Sequence, residues 1–212
     1  NGLPMRTNMT NNDGMNALEL RHNDAARRAF FLQMRINACI TRGMHYAQMP
    51  EAWFEMPRAE DMGNSLVASL PVLRENRLME QGRFQEAAEL IDGILAAPGA
   101  MPGVYVTLLR SDRAYIEWVG ENGQGIPKQR EKMDTLLTEA DRKLLKQLSS
   151  LPEVLRTEYT LALLEDRDEK AAKKILDQFE KRVARYPYHQ TVETERRLLA
   201  LAAEKANSVP AV

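Results

Sequence analysis

The chain has 212 residues, of which 29 are Lys or Arg and 30 are Asp or Glu, so its formal net charge at pH 7 is −1. A charge so close to zero gives no overall attraction to nucleic acid, and we expect no nucleic-acid partner. The single cysteine, Cys39, excludes an internal disulfide framework, and no run of about eighteen apolar residues predicts a membrane-spanning helix. The composition therefore favours a globular protein with a hydrophobic core.

Helix-forming residues dominate and no alternating strand pattern occurs, so the sequence predicts an all-α fold with about nine helices. A short helix is expected near residues 15–21, after a polar opening segment. Asn23 or Asp24 then caps a long helix that runs to about Met44. Because this helix has apolar residues on most sides, we expect it to be packed between neighbouring helices.

A loop with two large aromatic side chains follows the long helix. Pro50 and Pro57 bracket Trp53 and Phe54, whose rings are expected to pin the loop onto the body of the protein. Four methionines surround these rings: Met44, Met49, Met56 and Met62. Flexible thioethers beside aromatic rings form adaptable peptide-binding surfaces in some proteins and fill the core in others, and the pattern leaves both open.

From residue 65 onward, turns separate pairs of helices that carry apolar stripes. The turns at Gly82, near Gln124 and at Asp166 are about forty residues apart, the spacing of helical-hairpin repeats. In two hairpins the second helix has a small residue followed four positions later by a bulky one: Ala87 and Ile91, and Ala171 and Ile175. This pattern resembles the tetratricopeptide repeat over residues 65–206, which implies antiparallel hairpins stacked as a degenerate tetratricopeptide-like array.

The first helices of these hairpins depart from that family. Where it has a leucine–glycine pair, the chain reads Arg74-Glu75 in one hairpin and either Arg156-Thr157 or Glu158-Tyr159 in the other. The resemblance also implies a protein or peptide partner, and six aromatic residues are candidates to bind it: Trp53, Phe54, Tyr105, Tyr115, Trp118 and Tyr159. Their rings could line a groove or pack between repeats, and both interpretations stay open.

The opening residues carry a second resemblance. Asn1-x-x-Pro4 followed by Asp13-Gly14 is similar to the carboxy-terminal metal motif of the site-2 protease family of intramembrane zinc metalloproteases. The resemblance implies that Asp13 is a zinc ligand in a longer parent chain and that the residues after about 16 form a helical cytosolic extension. The alternative is an ordinary turn at residues 11–14. No His-Glu-x-x-His motif occurs in the 212 residues, so we expect this chain to be non-catalytic and without a cofactor of its own.

These observations divide the chain into three segments. Residues 1–16 are a polar segment that resembles the end of a metalloprotease motif, residues 17–64 are the long helix and its loop, and residues 65–212 are the helical repeats. The leading functional hypothesis is a cytosolic, non-catalytic accessory domain of a membrane-bound site-2-protease-like zinc metallopeptidase, which would bind the membrane portion of its own parent chain at the cytoplasmic face. The alternative is a free-standing tetratricopeptide-like adaptor that binds a protein or peptide partner in the cytoplasm.

Overall fold

The computed structural model of the chain consists of helices joined by turns and short loops in the residues that the structure describes, which are 13–97, 101–120, 133 and 135–208. Nine α-helices and no β-strand lie in these ranges, which confirms the predicted all-α class with about nine helices. The chain divides into two compact units, unit 1 with residues 1–106 and unit 2 with residues 107–212. The segment boundaries predicted after residues 16 and 64 both fall inside unit 1.

Unit 1 contains four α-helices and the first residues of a fifth. The four are α1 (Asp13–His22), α2 (Asp24–Thr41), α3 (Ser69–Glu80) and α4 (Phe84–Ala96). Three short 3₁₀ turns connect α2 to α3: Tyr46–Gln48, Glu51–Phe54 and Ala59–Asp61. Small and branched side chains form the core between α2 and the start of α3: Ala26, Ala29, Leu66, Val67 and Leu70. The small alanines let the helices approach closely.

Helices α3 and α4 form the first predicted hairpin. Gly82 has a φ of +71°, a left-handed conformation that glycine adopts without steric strain. Its N–H donates to the carbonyl oxygen of Met79 at 3.1 Å, and the N–H of Arg83 donates to that of Leu78 at 2.9 Å. Two carbonyls at the end of α3 are thereby satisfied, and the chain reverses within a few residues, as the sequence predicted.

Helix α2 differs from its prediction. It contacts α1 and α3, as expected, but its fully buried residues, Ala26, Ala29, Ile36 and Ile40, all lie on one face, and large apolar side chains on the opposite side are exposed. Cys39 is half-buried rather than a core residue. No described helix, α2 included, has both the length and the hydropathy that crossing a membrane requires.

Unit 2 is built from the helices that follow. They are α5 (Gly103–Val119, whose first residues belong to unit 1), α6 (Glu139–Gln147), α7 (Pro152–Thr160), α8 (Glu169–Val183) and α9 (His189–Ser208). Helix α7 continues into a π-helical turn, Leu161–Glu165. A cluster of seven buried side chains forms a core in this unit: Ala114, Trp118, Met133, Leu137, Leu145, Val154 and Leu164.

Helices α7 and α8 form a second predicted hairpin. The Asp168 carboxylate caps α8 by accepting from the N–H of Ala171 at 2.9 Å, and Arg167 takes the left-handed conformation in the turn, with a φ of +55°. Helix α7 packs against both α8 and α9. The turn predicted near Gln124 lies outside the described residues, and tetratricopeptide-like stacking stays a prediction.

Candidate interaction surface

The face of α2 opposite the core presents large apolar side chains to solvent. Asn23 begins this helix by accepting a hydrogen bond from the N–H of Ala26 at 3.0 Å. The exposed fractions are 62% for Phe31, 45% for Met34 and 37% for Phe30. Ala38, also exposed, continues the same line at a four-residue spacing from Met34. We call these four residues the α2 apolar stripe.

Arginines run beside the α2 apolar stripe. Arg28, Arg35 and Arg42 follow each other at intervals of seven residues, so they lie along one side of the helix. The guanidinium of Arg28 is 3.0 Å from the carboxylate of Glu55, and that of Arg35 lies over the ring of Trp53 with its carbon 4.4 Å from the ring centroid. The outward face of α2 therefore has an apolar side and a basic side.

The loop that supports the basic side is held by two charged residues of α3. The Nη1 of Arg77 donates to the carbonyl oxygens of Tyr46 at 2.9 Å and Met49 at 2.8 Å. The Glu80 carboxylate accepts from the N–H groups of Tyr46 at 3.2 Å and Ala47 at 3.0 Å. Charged groups bonded to backbone make stronger hydrogen bonds than neutral ones, so they hold the 3₁₀ turns in one conformation.

Trp53 and Phe54 pin this loop to unit 1, as the sequence predicted. Phe54 is 1% exposed, the guanidinium carbon of Arg77 lies 4.8 Å from its ring centroid, and Tyr46 meets it edge-on at 6.0 Å. Trp53 is half-buried under Arg35. Of these two candidate partner-binding rings, only Trp53 reaches the surface.

The four methionines near the loop divide equally between core and surface. Met49 and Met62 are buried, at 2% and 8% exposure, and fill space inside unit 1. Met44 and Met56 are 37% and 40% exposed. Two of the four methionines are therefore core residues, and the other two lie at the surface.

The remaining candidate rings are mostly interior. Tyr115, Trp118 and Tyr159 are buried in unit 2, where the hydroxyl of Tyr115 donates to the carbonyl oxygen of Leu198 at 2.9 Å. Burial raises the pKa of Tyr115 and of Tyr159 above the usual value. Tyr105 is half-buried. In this conformation a partner could reach Tyr105 and Trp53, and their role in binding stays a prediction.

Unit 2 encloses a cluster of charges that sequence reasoning did not identify as a site. The Arg156 guanidinium forms ion pairs with the carboxylates of Asp112 and, at 3.2 Å, Glu195, and the three side chains are at most 8% exposed. Arg156 also lies over the ring of Tyr115, 4.6 Å from the centroid. Burial raises the pKa of Glu195 to about 8, against the lowering effect of Arg156, because one cation cannot neutralise Glu195, Asp112 and the neighbouring Glu153 together.

The proposed zinc ligand, Asp13, is the first residue of α1, and Gly14 lies in the first turn of this helix rather than in a tight turn. Asn1 and Pro4 lie outside the described residues, so the metal role of Asp13 stays a prediction. Within the described part of the chain, no three or more His, Cys, Asp and Glu side chains are grouped so that they could hold a metal ion.

Sequence reasoning missed Arg77 and Glu80, although their spacing of three places them on one face of α3, because it treated α3 only as half of a hairpin. It also quoted Arg156 only as a departure from the repeat pattern. Comparison of the chain with protein-family models, with curated proteins and with solved structures finds no match.

Proposed function

We propose that this chain is a non-catalytic protein-interaction domain whose α2 apolar stripe binds an amphipathic helix of another protein segment. The observation that carries the proposal is the exposure of Phe30, Phe31 and Met34 on one face of a single helix. Clustered apolar side chains on a surface are typical of binding sites, whereas isolated ones are ordinary. The four-residue spacing of Phe30, Met34 and Ala38 is typical of a helix face that packs against another helix.

The energy available from covering this stripe is sufficient for a specific contact. Phe31 alone exposes on the order of 100 Å². At about 25 cal/mol per Å², burying it contributes about 2 kcal/mol, and Met34 and Phe30 add comparable amounts. Association opposes this gain with several kcal/mol of lost freedom, so we expect the apolar contact by itself to be weak, with a dissociation constant no lower than the micromolar range.

Charge beside the stripe selects the partner. Helix α2 and its cap contain four arginines, of which Arg27 pairs with Asp24 and Arg28 with Glu55, so the excess positive charge comes from Arg35 and Arg42. We therefore infer that the bound helix carries acidic residues along one side of its own apolar stripe, because complementary charges steer association and fix the register. A partner with a basic flank would be repelled.

The partner helix belongs either to the parent chain of this domain or to a separate protein. The resemblance of Asn1, Pro4, Asp13 and Gly14 to the site-2 protease motif favours the first, an accessory domain that binds the membrane portion of a zinc metallopeptidase at its cytoplasmic face. The resemblance of the hairpins to tetratricopeptide repeats favours the second, a free-standing adaptor. The coding sequence upstream of Asn1 separates them, because the accessory domain requires a His-Glu-x-x-His motif within an apolar segment there.

A photo-crosslinking amino acid in place of Phe31 tests the proposal in the cells that make the protein. We expect crosslinks to one acidic amphipathic helix, identified by mass spectrometry, and none from the same group in place of Ala96, an exposed residue of α4. Crosslinks to a second copy of the chain, to lipid or to no protein would overturn the proposal.

A matched pair of substitutions then measures how much the α2 apolar stripe contributes to binding the partner helix that crosslinking identifies. Ala38→Glu places a carboxylate in the α2 apolar stripe, and Ala96→Glu makes the same change at an exposed position near the end of α4. We expect the first to weaken binding about tenfold or more, equivalent to about 1.4 kcal/mol, and the second to leave it unchanged. Equal effects of the two substitutions would rule out a contact centred on α2.

A further inference from the structure

Unit 2 has an open groove lined with positive charges that form no salt bridge within the described residues. Its volume is about 770 Å³, and it is formed by seven residues: Ser149, Leu155, Gln178, Lys181, Arg182, Ala184 and Arg185. Ser149 comes from the connection between α6 and α7, Leu155 from α7, and the others from the last two turns of α8 and the residues after it. We call this the α8 groove.

The charges of the α8 groove are all of one sign. Lys181, Arg182 and Arg185 are exposed, and no salt bridge within the described residues involves any of them. Two of the three acids of the same helix are already paired, Asp177 with Lys173 at 3.6 Å and Glu180 with Arg196 at 2.6 Å, and the third, Glu169, lies in the first turn, at the other end of the helix from Lys181 and Arg182.

Cations near a helix carboxyl terminus interact favourably with its dipole, and this accounts for Lys181 and Arg182 separately. The helix dipole does not explain why Lys181, Arg182 and Arg185 line the same groove, because three like charges placed close together repel each other. A cleft lined with one sign of charge focuses its field on the ligand that enters it.

The remaining lining residues indicate which class of ligand the groove can bind. Leu155 and Ala184 are the aliphatic residues of the lining, and since Leu155 is only 2% exposed, Ala184 supplies most of the accessible apolar surface. The Gln178 amide and the Ser149 hydroxyl both donate and accept hydrogen bonds, as a peptide backbone requires. The lining has no aromatic ring on which a nucleic-acid base could stack.

We propose that the α8 groove binds a short acidic peptide segment, with its carboxylates on Lys181, Arg182 and Arg185 and an aliphatic side chain beside Ala184. The inference goes beyond the function proposed above, because it concerns a second surface, on unit 2, and an extended peptide rather than a helix. A volume of this size holds several peptide residues, whereas a single inorganic anion would leave most of it filled with water.

Fluorescence anisotropy with a labelled Glu-Leu-Glu-Glu-Leu-Glu peptide tests this proposal on the whole chain. We expect saturable binding that weakens as salt is raised, and no binding of the same peptide with every Glu replaced by Gln. Equal binding of both peptides, or none of the acidic peptide at millimolar protein, would overturn the proposal.

Matched charge reversals on one helix locate the contact. Arg182→Glu and Lys174→Glu each change the net charge by the same amount at exposed positions of α8, but only Arg182 lines the groove. We expect the first to weaken peptide binding about tenfold or more and the second less than about twofold. Equal losses would show a diffuse charge effect and contradict the site.

Two competitors and one further variant complete the test. Inorganic phosphate and a thymidine oligonucleotide should displace the peptide only at concentrations far above its own dissociation constant, and tighter binding of either would overturn the assignment to a peptide. Ala38→Glu, which disrupts the α2 apolar stripe, should leave peptide binding unchanged. Failure of the α2 proposal is thus distinguishable from failure of this one.

Discussion

Units 1 and 2 place polar and apolar side chains in opposite ways. Among the described residues, the large apolar side chains that are exposed all belong to unit 1: Leu18, Phe30, Phe31, Met34, Met44 and Met56. The described part of unit 2 covers its large apolar side chains and instead encloses the ion pairs of Arg156. Exposed apolar surface favours association, whereas buried ion pairs depend on the correct internal geometry. The comparison suggests a binding role for the surface of unit 1 and a structural role for the interior charges of unit 2.

Buried charges also occur in unit 1, but they have different partners. Arg77 and Glu80 bind backbone groups of the neighbouring loop, so each charge holds a turn in place. Arg156 binds two carboxylates contributed by α5 and α9, so it joins three helices of unit 2. Loss of Arg77 should therefore release a loop, while loss of Arg156 should disturb a whole helical core.

The largest effect is expected from Arg156→Ala. The substitution leaves the Asp112 carboxylate buried without its cation and removes the hydrogen-bond partner of Glu195, which should lower the free energy of unfolding by about 3–5 kcal/mol. Urea unfolding followed by Trp118 fluorescence, in a Trp53→Phe background, reports on unit 2. Arg185→Ala, at an exposed position, is the control and should change stability by less than about 0.5 kcal/mol. A loss below about 1 kcal/mol for Arg156→Ala would refute a structural role for the cluster.

Arg77→Ala should have the next largest effect, and only on unit 1. It removes two hydrogen bonds to backbone carbonyls and the contact with the Phe54 ring, for an expected loss of about 2–3 kcal/mol. Trp53 fluorescence in a Trp118→Phe background measures this loss. Arg74→Ala, which removes one bond to the Phe54 carbonyl at 3.1 Å, should lose less. If the Trp118 signal shifts equally after Arg77→Ala, the two units unfold together and the comparison between them fails.

The pH dependence of the stability of unit 2 should be a smaller effect than that of either arginine substitution. Burial raises the pKa of Glu195 from 4.5 to about 8, so the native state holds a proton that the unfolded state releases. This contribution to stability is fully present below pH 4.5 and is lost as the pH rises to about 8. Between pH 6 and 8 we expect the free energy of unfolding to fall by on the order of 1–2 kcal/mol.

The substitution Glu195→Gln tests the source of this dependence. It should reduce the slope without abolishing it, because burial also raises the pKa values of Glu153 and Glu158. Urea unfolding at pH 6 and pH 8, followed by Trp118, gives both slopes. Stability of the unsubstituted chain that is constant or rises over this interval would show that Glu195 is ionised in the native state.

Local sequence signals predicted the helices and hairpins because their physical causes are local. Gly82 and Asp168 terminate or cap helices through groups within a few residues. The cluster of Arg156 has no such signal, since Asp112 lies 44 residues before it and Glu195 lies 39 after it. Apolar periodicity likewise indicated that α2 is a helix, but it could not tell which of its apolar residues neighbouring elements cover.

The smallest effect on stability is expected from Phe31→Ala, and it bears most directly on the surface of unit 1. Phe31 is 62% exposed, and alanine is the better helix former, so the free energy of unfolding should change by less than about 0.5 kcal/mol. Ile36→Ala, at a fully buried position of the same helix, should lose about 2–5 kcal/mol in the same Trp53 experiment. A loss above about 1 kcal/mol for Phe31→Ala would mean that the chain itself covers this ring in solution. The α2 apolar stripe would then be part of the folded core, and a partner could not bind it.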